Sequence, residues 1–396
     1  VSLNEVLDVV FRWAHLIAGI MWIGNSMLFN WLDRNLIKPQ GEAGLSQGRI
    51  YMVHSGAFYE VEKKLLAPGE LPDQLHWFRW QNLSTWLTGI ALMVVVYYMN
   101  GAAFLIDPKV RAMGQGEAVA ISVGSLILAW AVYDLIWRAL EKQPLVATLL
   151  TFGGLLAAAW AFTQVFSGRA AYIQTGVLIG TIMTGNVWMR ILPSQRELIR
   201  ATKEGRAQDA VLSVRAKQRS IHNNYLTFPL LFIMLSNHFH GLYGHHLNWV
   251  LLFGAMFGGA GVRHFMNVRY DGRSNAAWLV PAVVVGVMAV AVFMGVSRIK
   301  KAPAVTVSHE VGFARVQEII VQRCASCHSA RPTDAQFTAA PNNVMFDTAE
   351  QIHNMVPRII ERAVVSETMP FLNRTQMTAT ERAEIAAWVA AGAKLQ

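Results

Sequence analysis

Eight stretches, at about 9–30, 80–99, 118–137, 145–166, 171–190, 222–240, 247–264 and 276–296, are apolar over a length that matches the hydrocarbon core of a bilayer. In lipid each backbone polar group needs a partner within the segment, so a helix is the natural solution for every run. The fold class read from this pattern is all-α. An eight-span bundle over residues 1–300 is followed by a tether over 301–310, with Pro303 at its boundary, and a small helical domain over 311–396. Composition agrees: 54% of the residues are hydrophobic and 15% charged, too apolar a balance for a water-soluble enzyme of this length. The first two spans are separated by a loop of nearly fifty residues.

The only two cysteines lie in one short motif, Cys324-Ala325-Ser326-Cys327-His328. This is the attachment pattern of haem c. One helical turn brings both thiols to the vinyl groups of one porphyrin, and His328 meets a face of the iron. A zinc site would want a second ligand pair at similar spacing, and no other cysteine exists. A redox dithiol does not call for the histidine and belongs in a βαβ setting that is absent. The other face of the iron often takes a thioether in electron-transfer cytochromes. Met369 is the favoured ligand because Pro370 fixes the backbone behind it; Met377 is the second candidate. Helices are predicted over about 311–325, 349–364 and 379–392, the last opened by a Thr cap and closed at Gly392. The layout resembles a class I cytochrome c domain over about ninety residues.

Haem is attached to c-type cytochromes in the periplasm. An even number of spans then places the N-terminus there too, in a multi-pass protein of the bacterial inner membrane. Lys and Arg crowd the four loops that would be cytoplasmic and are sparse in the three external ones, as the positive-inside rule requires. The net charge of +9 therefore reads as topology plus attraction to membrane lipid headgroups. No nucleic-acid partner is expected, and no zinc finger, Walker A or dinucleotide fingerprint occurs. The first span is read as its own insertion signal.

Ionisable and amide side chains inside spans are costly and usually functional. His15, Asn25, Asn30, Asp134, Asn186, Arg190, His222, Asn223, Asn224, Asn237, His238, Arg263 and His264 are of this kind. The histidines fall in two layers, His15 and His238 toward the external face and His222 and His264 toward the cytoplasm. The first loop adds His54 and His76. Neutral imidazoles on neighbouring helices suit haem b, so these are its candidate ligands in the membrane domain. The Gly-rich run at 254–265 would admit a flat porphyrin or a close helix neighbour equally well.

Four segments, "FRWAHLIAGIMWIGNSMLFNWLD" (11–33), "HSGAFYEVEKKLLAPGELPDQLHWFRWQNLSTWLTG" (54–89), "HNNYLTFPLLFIMLSNHF" (222–239) and "RHFMN" (263–267), precede the haem motif. With it they resemble the membrane-bound, cytochrome c-linked urate oxidases, along the whole chain. The resemblance implies oxidation of urate to 5-hydroxyisourate. Electrons would pass to the fused cytochrome and on to a periplasmic acceptor, a soluble cytochrome c or a terminal oxidase.

A flat anionic purine wants Arg, amides and an aromatic wall. Arg79, Arg263, Asn223, Asn224, Trp77, Phe58 and Tyr59 are the candidates. His54 or Glu60 would take a proton or activate water, and Arg263 is grouped with them in catalysis. Most intramembrane polar residues lie in cytoplasmic halves of spans, so the pocket is expected to open inward under the 54–79 loop. Two other functions use the same inventory: a quinol-oxidising cytochrome bc-type protein, and a membrane-anchored cytochrome c carrier without a substrate.

Overall fold

The structure is a computed structural model. It describes every residue except 1, 2, 41–44, 68, 100, 101, 103, 208, 269–274, 298–304, 306, 335, 336, 338, 366 and 396. The chain divides into two compact units: Val1–His238 with Trp249–Phe293, and Phe239–Asn248 with Met294–Gln396. Half of the tether read at 301–310 lies outside the described residues.

The first unit begins with α1 (Leu3–Asn35), followed by strands β1 (Ser46–His54) and β2 (Ala57–Lys64). Then come α2 (Arg79–Leu92, continued by a π-helical segment Met93–Tyr98), α3 (Gln115–Ala139), α4 (Pro144–Val165) and α5 (Gly168–Asn186, continued by π-helical Val187–Ile191). After these lie α6 (Leu192–Glu204), α7 (Ala210–Leu235), α9 (Asn248–Val268) and α10 (Asn275–Ser297); the short α8 (His240–Tyr243), between α7 and α9 in the chain, belongs to the second unit. Helices thus occupy all eight apolar stretches. Among the described residues, α1, α3, α4 and α9 are long and apolar enough to cross a membrane. α7 begins at Ala210, well ahead of the expected start near 222, because Asp209 caps it by accepting from Val211 N (2.8 Å).

The expectation of an all-α chain is corrected by the β1–β2 hairpin. Its two-residue turn has left-handed Ser55 (φ 53°) and Gly56 (φ 77°), the turn geometry that follows the natural strand twist. Ile37 and Arg49 exchange backbone hydrogen bonds at its base (2.8 and 3.0 Å), and Lys63 pairs with Asp33 at 2.6 Å.

α5 is the buried centre of the first unit, packed by α2, α3, α4 and α7. Tyr172, Leu178, Ile179, Ile182 and Met183 are enclosed along it, as are the polar Gln174, Thr175 and Asn186. The outer helices invert the soluble pattern: Trp13, Leu16 and Ile20 on α1, Ile127, Leu128 and Leu135 on α3, and Leu145 and Leu149 on α4 are exposed. So much contiguous apolar surface marks a membrane or partner face.

In the second unit, α11 (Phe313–Arg323), α12 (Ala349–Asn354), α13 (Val356–Ile359) with a π-helical continuation Ile360–Val365, and α14 (Ala379–Ala390) match the three predicted helices. Thr378 and Glu381 form the expected capping box of α14. Phe313 meets Trp388 at a ring separation of 5.7 Å, over a core that includes Val316, Ile319, Ile320, Ile352 and Ile385.

Gly259 of the Gly-rich run faces α7 rather than open space. A Cβ there would lie 2.8 Å from Pro229 N and 3.0 Å from Phe228 C. These are backbone atoms, which no rotamer change can move. Gly259→Val is expected to destabilise the bundle by about 1–3 kcal/mol, read as a lowered melting temperature in detergent. An unchanged melting temperature would contradict this close approach.

Candidate functional site

Four consecutive residues of α7, His222-Asn223-Asn224-Tyr225, divide between two neighbours. His222 and Asn223 bond to α3 and α5. The Tyr133 hydroxyl lies 2.7 Å from His222 Nδ1, and Asn186 Nδ2 donates to Tyr133 Oη and to Asn223 Oδ1, both at 2.9 Å. Asn223 Nδ2 donates to Met183 O (3.0 Å), and the His222 ring rests on Trp137 (4.0 Å between centroids). Beside them Asp134 accepts from Arg190 Nε (2.8 Å) and Nη2, and from Arg219 Nη2 (3.1 Å). Two guanidinium groups thus share one carboxylate, which leaves the cluster net positive.

Asn224 and Tyr225 bond to α9 instead. Arg263 Nε donates to Asn224 Oδ1 at 3.0 Å. Arginine can only donate, so the Asn224 oxygen must face it, and Asn267 presents its Nδ2 to the same oxygen (2.7 Å). Three polar atoms then remain buried without a partner: the donors Arg263 Nη2 and Asn224 Nδ2, and the acceptor Asn267 Oδ1. Their residues are 3%, 5% and 2% exposed. Arg34 reaches in from α1, donating from Nη1 to Asn267 O (2.5 Å). Among the described residues neither Arg34 nor Arg263 has a carboxylate partner. Arg263 lies over Phe228 (5.5 Å). In the adjacent rung the Tyr225 hydroxyl is 2.7 Å from His264 Nδ1.

His15 donates from Nδ1 to Thr85 O (2.9 Å), and its ring rests on Gly89, where a Cβ would come within 3.0 Å. His15, His222 and His264 therefore all engage Nδ1, the contact that orients an imidazole for a metal at Nε2. His238 is exposed at the end of α7.

The loop candidates are placed elsewhere. His54, Phe58, Tyr59 and Glu60 are exposed on the hairpin, with Glu60 turned to Arg49 (3.4 Å). His54 lies five residues beyond the anchor at Arg49, about 17 Å along an extended strand. Among the described residues, none of their contacts reaches Asn224 or Arg263. The expected roof over an inward pocket is thus not formed by these side chains. Arg79 sits between Trp77 and Trp80 (5.2 and 5.1 Å), and His76 packs on Phe78 (4.7 Å). Arg79 and Trp77 come together as expected, apart from Arg263.

Sequence reasoning missed Arg34, Tyr133, Arg219, Tyr225 and Asn267. Asn267 was available as the i+4 neighbour of Arg263, and Tyr225 as the next residue of the polar quartet. Nothing local distinguishes Tyr133 from other span aromatics.

In the second unit, Cys327 N and His328 N donate to Cys324 O (3.2 and 2.9 Å), a helical turn that gathers the motif. Both thiols are free. Burial pushes the Cys324 pKa up to about 12 and raises that of Cys327. His328 donates from Nδ1 to Val344 O (2.9 Å), leaving Nε2 for a ligand. Met369 is half-buried. Met377, the second candidate ligand, is 3% exposed and packed in the apolar core. Among the described residues, no cluster of three or more His, Cys, Asp or Glu would hold a metal unaided.

Residues 1–295 match the family described as Urate oxidase N-terminal. The chain belongs to this family. Membership points to an oxidoreductase acting on urate. The match stops short of the Cys324–His328 motif, so the family assignment rests on the helical bundle alone. Neither the curated proteins nor the solved structures gave a match.

Proposed function

We propose that the first unit oxidises urate to 5-hydroxyisourate and that the electrons pass to a c-type haem held by the second. The observation that carries the site is the unpartnered set on Asn224, Arg263 and Asn267. Urate is anionic, and its rim alternates carbonyl oxygens with ring N–H groups. A carbonyl oxygen would accept from Arg263 Nη2 and Asn224 Nδ2, while a neighbouring N–H donates to Asn267 Oδ1. Burying a charge requires a compensating partner, and among the described residues Arg263 has no carboxylate. An anionic ligand supplies it. Phe228, beneath the guanidinium, offers an apolar wall.

Conversion of urate and water to 5-hydroxyisourate releases two electrons and two protons. The motif cysteines, His328 and Met369 fit a covalently attached haem: protonated thiols on one turn, an imidazole held by Nδ1, and a thioether on a half-buried loop. Haem c bound there supplies a one-electron acceptor. In the first unit, haem b would be held by imidazoles drawn from His15, His222 and His264, each oriented through Nδ1. It would divide an electron path that a bilayer core of ~30 Å makes too long for one step. The eight helical stretches support an eight-span topology in the inner membrane, with the cytochrome periplasmic and a soluble cytochrome c or terminal oxidase receiving the electrons.

Losing one charged hydrogen bond costs about 1.5–3 kcal/mol. Asn224→Leu and Arg263→Gln are each expected to raise the urate requirement roughly tenfold or more, with the haem c spectrum intact. A urate KM unchanged in both variants would reject this site. For haem b, pyridine haemochrome analysis is expected to resolve b and c haem in the active protein. A fully active preparation containing haem c alone would rule haem b out.

A further inference from the structure

Among the described residues, the charged side chains buried in the second unit are Glu381, Arg382 and Glu384, all on α14. Two are half of an ion pair: Glu381 with Arg323 at 2.9 Å and Glu384 with Arg315 at 3.1 Å. Arg382 is 5% exposed; Glu367 and Glu381 lie within electrostatic range of it, and its guanidinium donates to neutral oxygens as well. Nη1 donates to the carbonyls of Met369 (2.7 Å) and Ala363, and Nη2 to Asn373 Oδ1 (3.2 Å). The Met369 N–H is tied as well, donating to Arg362 O at 2.9 Å. The peptide groups on both sides of the Met369 Cα are therefore held, one by a backbone carbonyl and the other by a buried guanidinium. Part of the arrangement is ordinary helix chemistry. Ala363 lies near the end of the π-helical segment, where carbonyls lack partners within the helix. The bond to Met369 O is not explained that way, because Met369 lies beyond that segment in a loop.

We propose that Arg382 is a positioning residue for Met369, holding its backbone so that the thioether outcompetes other ligands for the iron. The inference rests on the haem c reading. A ligand on a loosely held loop reaches its bonding position only part of the time, and its apparent affinity falls by that fraction. Holding the Met369 peptide at both ends removes this cost. Glu381 performs a comparable service on the cysteine side, since its partner Arg323 immediately precedes Cys324. Neighbouring residues of α14 thus brace both arms of the haem motif.

The test uses the full-length oxidised protein in detergent, with imidazole as a competing ligand for ferric iron. Arg382→Met is expected to bind imidazole about tenfold more tightly than the unmodified chain. Its near-infrared sulfur-to-iron band should weaken while covalent haem remains. Arg382→Lys keeps the charge and one donor arm, so a smaller shift in the same direction is expected; it decides the matter if the Met variant does not accumulate. Glu384→Gln breaks the Arg315 pair on the same helix without touching Met369. It should lower the melting temperature and leave the imidazole affinity unchanged. Unmodified imidazole affinity and band intensity in the Arg382 variants would overturn the proposal, as would an equal shift in Glu384→Gln. Absence of covalent haem from the unmodified chain, read by pyridine haemochrome, would overturn the haem c reading itself, an outcome distinct from these.

Discussion

The close approach of α7 and α9 is the contact on which the Asn224–Arg263–Asn267 set depends. Pro229 and Gly259 meet at the backbone, with no room for a Cβ. From that point the helices run antiparallel, so Asn224 on one falls opposite Arg263 and Asn267 on the other. Gly259, Arg263 and Asn267 are spaced by four and share one face of α9. A bulkier residue at 259 would push the helices apart, and the shared Asn224 oxygen, bound at 3.0 and 2.7 Å, would lose at least one donor. A steric requirement at one end of the interface thereby sets a hydrogen-bonding geometry at the other.

Charge in this interior is arranged in two different ways. Arg190 and Arg219 converge on Asp134, so most of their desolvation is offset within the protein. A buried pair of this kind is weak evidence for stability, but losing one partner is severe. Arg34 and Arg263 have only amide and carbonyl oxygens among the described residues. The first arrangement supplies its own carboxylate, although Arg219 Nη1 and Asn186 Oδ1 stay without a partner there. In the function proposed above, the second is completed by an anion from outside, and the family makes urate the candidate. α7 contributes to both, Arg219 to the first and Asn224 to the second.

Much of this organisation is legible in the sequence. The apolar runs place all eight helices, and the Cys324–His328 spacing and the Thr378 cap mark out the second unit. The hairpin leaves a weaker trace: Ser55-Gly56 marks its turn, and burial alternates along β1 but not along β2. Its residues were instead treated as a roof because they belong to one long motif with Arg79. What local pattern cannot supply is which face of α7 each polar residue takes. His222 and Asn224 look equivalent in sequence, and only packing sends one to Tyr133 and the other to Arg263. Pro370 favours Met369 over Met377 in sequence, whereas the burial of Met377 in the core of the second unit shows only on packing.

The central claim is that urate delivers electrons to the haem of the same chain. Its most direct test is anaerobic addition of urate to the purified, oxidised, full-length protein while the c-haem absorbance is followed. The expected result is reduction of the c haem by urate, with two electrons appearing per urate consumed. A c haem that stays oxidised with urate but is reduced by a quinol would contradict the account and assign the membrane unit to quinol oxidation.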